Sequence, residues 1–184
     1  KPLGATGVIS CYSFYPTKNL ATLGDAGAVT GPADFVEQIK HLRNHGQANV
    51  KFRAHSVGWN SRMDSIHADI LINELDYLTE RNKRRCEIAQ YYRENIDAFT
   101  QTINPDCKPV YHQYPLLTDK FSELDDIQTR SYYNTPIHKL AAYNTGQTLP
   151  VTEYYAKHNI CIPVHPYLTD AQVTHIVDKV NQCV

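Results

Sequence analysis

The chain has 184 residues, 42% of them hydrophobic and 20% charged, with a formal net charge of −1. A chain of this length can bury about 70% of its unfolded surface, enough for one or two small globular units. Near-neutral charge argues against nucleic acid as the main partner. No apolar run approaches membrane-spanning length and no signal peptide is recognisable, so no membrane partner is expected.

The elements follow in order. Residues 8–14 and 28–30 read as strands, the first an apolar and aromatic run that includes Val8, Ile9, Cys11, Tyr12 and Phe14. Between them a turn carries Ser13, Pro16 and a single lysine, Lys18, with Gly24-Asp25-Ala26-Gly27 behind it. A lysine held by such turns can be partly desolvated, which makes its amine a usable nucleophile toward an aldehyde or ketone. An ordinary solvated surface lysine satisfies the same pattern. Pro32-Ala33-Asp34 opens a helix to about His45, with Gly46 as its stop. Residues 47–61 are polar and irregular and suit a surface loop that could carry function.

A long helix is expected from Ser61 or Asp64 to about Phe99. Met63, Ile66, Ile70, Leu71, Leu75 and Leu78 form its apolar stripe, and Ile88, Tyr91, Tyr92 and Ile96 continue it. The cluster Arg81, Lys83, Arg84 and Arg85 reads as a solvated face of that helix. Beyond it, residues 110–117, 129–133 and 159–164 read as strands. Residues 151–158 and 170–183 read as helices, the last capped by Thr169, giving an α+β layer. The expected division is 1–62, the end of a larger domain; 63–100, a connecting helix; and 101–184, a small domain.

Cys11, Cys86, Cys107, Cys161 and Cys183 are odd in number, spread out and without a Cys-x-x-Cys pair, which fits reduced thiols in a cytoplasmic protein. The nine histidines are scattered, and no metal site is expected. The chain starts at Lys1 and enters a strand almost at once, which reads as a cut rather than a natural beginning.

Ser13-Phe14-Tyr15-Pro16-Thr17-Lys18-Asn19-Leu20, followed by Gly24-Asp25-Ala26-Gly27-Ala28-Val29, resembles the cofactor-lysine segment of the DegT/DnrJ/EryC1/StrS family of sugar aminotransferases. Leu42-Arg43-Asn44-His45-Gly46 and Gly58-Trp59-Asn60-Ser61-Arg62-Met63-Asp64 resemble its next landmarks. So do Tyr132-Tyr133 with Pro136-Ile137-His138, and Ile162-Pro163-Val164-His165-Pro166-Tyr167. The resemblance runs through most of the chain. It implies an α/β fold, namely the end of the large domain of a fold-type-I, pyridoxal-phosphate-dependent transferase plus a small C-terminal α+β domain.

The resemblance also implies roles. Lys18 would form the Schiff base with pyridoxal phosphate, and Ser13 would hydrogen-bond its phosphate. Asn60 would reach the cofactor phosphate of a partner subunit in a homodimer; taken alone it suits a turn or helix cap better, and the surrounding Gly58, Arg62 and Asp64 favour the phosphate role. Tyr132, Tyr133 and His138 fall where the family lines its sugar-nucleotide pocket; ordinary strand and turn packing would also account for them. His45 and His55 suit loop structure better than catalysis. A lysine at position 18, where dehydrating relatives have histidine, implies transamination, with glutamate as donor and a nucleotide-linked keto sugar as acceptor. Residues 14–20, 42–47 and 165–168 lean toward 3-keto dTDP- or UDP-sugars.

Two departures qualify the resemblance. About half of a family member is missing ahead of the lysine strand, and with it the acidic partner of the cofactor nitrogen and its stacking ring. The stretch 116–128 is also shorter than in relatives, and His67 stands where they usually have glutamine. The alternative expectation is therefore an inactive, truncated or split half that acts only in dimerisation or interaction.

Overall fold

The computed structural model describes residue 2 and residues 4–48, 50–120, 124, 126–144 and 146–183. The expected cut at Lys1 and much of the shortened stretch, residues 121–123 and 125, lie outside them. The chain divides into two compact units, Lys1–Thr79 and Glu80–Val184, and the division falls inside its longest helix.

In the first unit, β1 (Ser10–Ser13) and β2 (Gly27–Thr30) pair antiparallel, with Ser10 opposite Thr30 and Ser13 opposite Gly27. The close pairing needs the glycine, because a Cβ at position 27 would stand 2.7 Å from the Tyr12 carbonyl oxygen. Helix α1 (Ala33–Leu42) starts after Pro32, whose fixed φ suits a helix start, and ends three residues before the expected His45. The end comes earlier because His45 and Gly46 take positive φ, 59° and 70°, and turn the chain out of the helix.

The loop that follows is less free than its composition suggests. Its two limbs pair at Asn44–Asn60 and Gln47–Ala54, and Trp59 N–H donates to Leu42 O while His45 N–H donates to Trp59 O, both at 2.8 Å. Its side chains stay largely exposed all the same, Phe52, Val57 and Trp59 among them.

Helix α2 (Ser65–Asn95) carries the expected apolar stripe, but its two parts have different fates. In the first unit Leu71 is buried while Ile66, Ile72 and Leu75 are exposed. In the second unit Ile88, Ala89, Tyr92 and Ile96 enter a continuous core.

That core is built on a three-stranded antiparallel sheet in the order β3 (Phe99–Thr100), β4 (Tyr114–Leu117), β5 (Asn159–Ile162). Tyr114 pairs with Ile162 and Leu116 with Ile160, and all four are buried. They join Val173, Ile176, Val177 and Val180 of α4 (Asp170–Cys183) in the same cluster. Helix α3 (Pro150–His158) leads directly into β5. Thr169 caps α4 as expected, through a reciprocal box: its hydroxyl accepts from Gln172 N–H at 3.3 Å, and its own N–H donates to Gln172 Oε1 at 2.9 Å.

Two expectations are corrected. Residues 129–133 do not form a strand; only Arg130 bridges Cys161, through N–H to O bonds of 3.1 and 2.8 Å. The ladder stops there because the Tyr132 N–H donates to the Asn159 side chain, not to a backbone carbonyl. The basic cluster of α2 is not a solvated face. Arg85 is 8% exposed and donates to the Tyr111 and Val164 carbonyls at 3.2 and 3.3 Å. Arg84 donates to Leu168 O and to Asp170 at 2.8 and 2.6 Å. Only Lys83 lies fully in solvent. Spacing along a helix cannot distinguish a surface arginine from one that reaches across to orphaned carbonyls of a neighbouring segment.

Candidate active site

The turn after β1 is closed by backbone hydrogen bonds. Phe14 N–H donates to Ala26 O at 2.8 Å, Thr22 N–H to Phe14 O at 2.9 Å and Lys18 N–H to Tyr15 O at 2.9 Å. These bonds present Ser13 and Lys18 on one short segment. The Ser13 hydroxyl oxygen accepts from Tyr15 N–H at 3.3 Å, which leaves its O–H free to donate elsewhere. Lys18 is half-buried, and its amine has no ion-pair or hydrogen-bond partner among the described residues. Thr22, 4% exposed, anchors the far end of the turn, with its Oγ1 2.9 Å from Nδ1 of His67 on α2. Sequence reasoning singled out His67 only as a departure from relatives and did not anticipate Thr22.

Asn60 sits at the base of the 44–60 hairpin, bridged to Asn44, and not at its tip. Gly58 beside it is obligatory, since a Cβ there would strike the backbone N of Gly46.

The other three candidates belong to the second unit and share a single cavity of about 940 Å³. The alternation of the sheet creates it. Tyr114, Leu116, Ile160 and Ile162 face the core, so Pro115, Leu117, Asn159 and Cys161 face the opposite side, where they line the cavity with Tyr132, Tyr133 and His138. Tyr132 and Tyr133 stand edge to face, ring centroids 5.5 Å apart. Tyr132 is half-buried and Tyr133 is 74% exposed. His138, on the one-turn helix Ile137–Lys139, has a side chain only 10% exposed and places Nε2 3.0 Å from Glu153 Oε1. Glu153 also receives Lys139, and these donors hold its carboxyl down at about 2. Burial pushes the Cys161 thiol up to about 11. Among the described residues no group of three or more His, Cys, Asp and Glu is placed to hold a metal ion.

The family model for the DegT/DnrJ/EryC1/StrS aminotransferases matches residues 1–181. The chain belongs to this family. It is 32% identical over 196 residues to the dTDP-3-amino-3,4,6-trideoxy-alpha-D-glucose transaminase of Streptomyces venezuelae, covering 98% of this chain and 51% of that protein. It is 34% identical over 194 residues to the dTDP-3-amino-3,6-dideoxy-alpha-D-galactopyranose transaminase of Aneurinibacillus thermoaerophilus, covering 99% and 53%. Among solved structures it is similar to DesV of S. venezuelae in complex with a ketimine intermediate, with a TM-score of 0.93 and 31% identity, over 99% of this chain and 53% of that one. The chain thus spans about half the length of the relatives it matches, with their mixed α/β fold.

The family's enzymes depend on pyridoxal phosphate. That group requires a primary amine for its aldehyde and hydrogen-bond donors for its phosphate. Lys18 and Ser13 supply one of each on a single turn, and no carboxylate among the described residues ties up the amine. The donor set fits the cofactor.

Proposed function

We propose that the protein carrying this chain transfers an amino group from glutamate to a keto group of a nucleotide-linked sugar, leaning to a 3-keto dTDP- or UDP-sugar. It would work as a cytoplasmic homodimer with pyridoxal phosphate. Residues 1–62 would close the large cofactor-binding domain, 63–100 would form the connection, helical over Ser65–Asn95, and 101–184 the small domain. The observation that carries this reading is the Lys18 turn: a half-buried amine with no ionic partner among the described residues, on a turn closed by backbone bonds that also carries a hydroxyl, in a chain of this family.

Bound pyridoxal phosphate supplies an aldehyde carbon and an electron sink for a carbon acid. The chain's own part is proton handling and orientation. Lys18 Nζ, as a general base, takes the proton from the α-carbon of the amino donor; in the second half of the cycle it delivers a proton to the sugar carbon that receives nitrogen. Ser13 donates to the phosphate, where a charge-assisted hydrogen bond fixes the cofactor's register. Asn60 would donate to the phosphate held by a second copy. Tyr132, Tyr133 and His138 would hold the sugar nucleotide, the tyrosines covering apolar faces and the imidazole making a directed hydrogen bond.

Borohydride reduction of the protein with pyridoxal phosphate, followed by peptide mass spectrometry, should place the cofactor on Lys18. A label on another lysine would sink the assignment.

A second reading, a dimerisation or interaction module without activity, draws on the exposed Phe52, Val57 and Trp59 of the hairpin. A protein that dimerises but takes up no cofactor absorbance would favour it.

A further inference from the structure

Glu153 lies in the first turn of α3, and a single oxygen, Oε1, serves three donors. They are His138 Nε2 at 3.0 Å, Lys139 Nζ at 3.1 Å and the Leu149 backbone N–H at 2.9 Å. An ionised carboxylate only accepts hydrogen bonds, so the imidazole nitrogen facing it is the one that carries hydrogen. In the neutral ring that leaves Nδ1 as a bare lone pair. Nδ1 has no hydrogen-bond partner among the described residues, and the ring lines the cavity of the second unit. Lys139 Nζ reaches the same oxygen as the ring and brings the carboxylate a counter-charge.

Part of this arrangement is plain helix capping. Leu149 is the N-cap residue of α3, and a glutamate returning from the first turn to the N-cap N–H does the capping work of a capping-box glutamate from one position further along. Capping explains one donor of the three. It does not require a nearly buried imidazole on the same oxygen, nor that this ring should be one that faces the cavity.

We infer that Glu153 is a positioning residue that holds His138 as the Nε2–H tautomer, so that Nδ1 presents a hydrogen-bond acceptor to a hydroxyl of the nucleotide-linked sugar. The inference rests on the sugar-pocket reading of Tyr132, Tyr133 and His138 given above. An acceptor-only edge matches a hydroxyl, which can donate, and not a keto or ring oxygen, which cannot. It therefore orients the sugar as well as binding it, since a misplaced ring leaves a buried polar group unpaired.

Nitrogen NMR of isotope-labelled histidine in the 184-residue chain, at about pH 9 where an ordinary imidazole is neutral, reads the tautomer without any mutation. The probe ligand is dTDP-glucose. The wild-type chain should show His138 as one Nε2–H form, with its Nδ1 resonance moving as dTDP-glucose is added. Glu153→Gln keeps an oxygen for the Leu149 N–H and should stay folded, with a melting temperature lowered by no more than the lost carboxylate contribution. Its amide offers the ring a donor as well as an acceptor, so mixed tautomers and about fivefold weaker dTDP-glucose binding are expected. His138→Ala should weaken binding to a similar degree. An Nδ1–H form in the wild type, or an unchanged tautomer in Glu153→Gln, overturns the positioning role whatever the cavity binds. An Nδ1 signal that dTDP-glucose leaves unmoved, or binding that His138→Ala leaves intact, overturns the sugar-pocket reading itself and takes the hydroxyl with it.

Discussion

Thr22 and His67, forty-five positions apart in sequence, meet through a 2.9 Å hydrogen bond that ties the end of the Lys18 turn to α2. Thr22 is nearly fully buried, so its hydroxyl would be costly to leave unpaired, and the bond fixes the end of the turn. Replacing Thr22 by Val keeps the shape and removes the bond. We expect a loss of about 1–2 kcal/mol in urea unfolding. His67→Gln, whose amide can also bond the hydroxyl, should cost less than His67→Ala, and equal losses for the two would remove the bond from the account.

Gly46 stands at φ 70°, and a Cβ there would run into the Ser56 carbonyl oxygen. Gly46→Ala should therefore open the hairpin that carries Asn60, at a cost of about 1–3 kcal/mol. Proteolysis distinguishes the outcomes: cleavage should accelerate in residues 47–60 of the variant and remain slow in α1. Equal cleavage of the two proteins would count against the hairpin stem.

Among the described residues of the second unit Arg85 is the one buried cation, and burial pushes its pKa down while two carbonyls receive its N–H groups. Arg85→Met removes the donors and leaves the Tyr111 and Val164 oxygens unmet, for an expected loss of about 2–4 kcal/mol. Lysine should rescue little, because an ammonium cannot reproduce the planar fork. Thermal unfolding of the two variants decides it; full rescue by lysine would mean that charge alone matters.

The carboxyl of Glu153, ordinarily near 4.5, is held at about 2, first by His138, then by the Leu149 N–H and Lys139. Between these values the folded chain binds fewer protons than the unfolded one. The carboxylate's contribution is therefore complete above about 4.5 and is lost as pH falls through about 2. The melting temperature of the wild type should drop across that window more steeply than that of Glu153→Gln. Parallel curves for the two proteins would deny Glu153 its part.

Much of the fold was legible because local chemistry agreed with tertiary need. The long helix α2, the Thr169 cap of α4 and the two strands that flank the Lys18 turn are short-range statements, and each stands close to where its residues predict. The misreadings share one cause. Residues 129–133 have strand composition, yet pairing depends on a partner, and Asn159 supplies a side chain in place of a backbone carbonyl. The arginines of α2 have surface spacing, yet carbonyls from distant segments draw two of them inward.

The site divides in the same way. The order of residues around Lys18 was enough to place an amine and a hydroxyl on one turn, because bonds within the segment Phe14–Ala26 build that turn. Glu153 gave no signal at all. It lies fifteen residues from His138, and only the packing of α3 beside the Ile137–Lys139 turn brings its oxygen to the imidazole. Sequence alone determined the elements and the lysine-bearing turn, which are short-range matters of propensity and spacing. The tertiary structure decided which polar groups meet, because a buried donor takes whichever acceptor the fold brings within 3 Å.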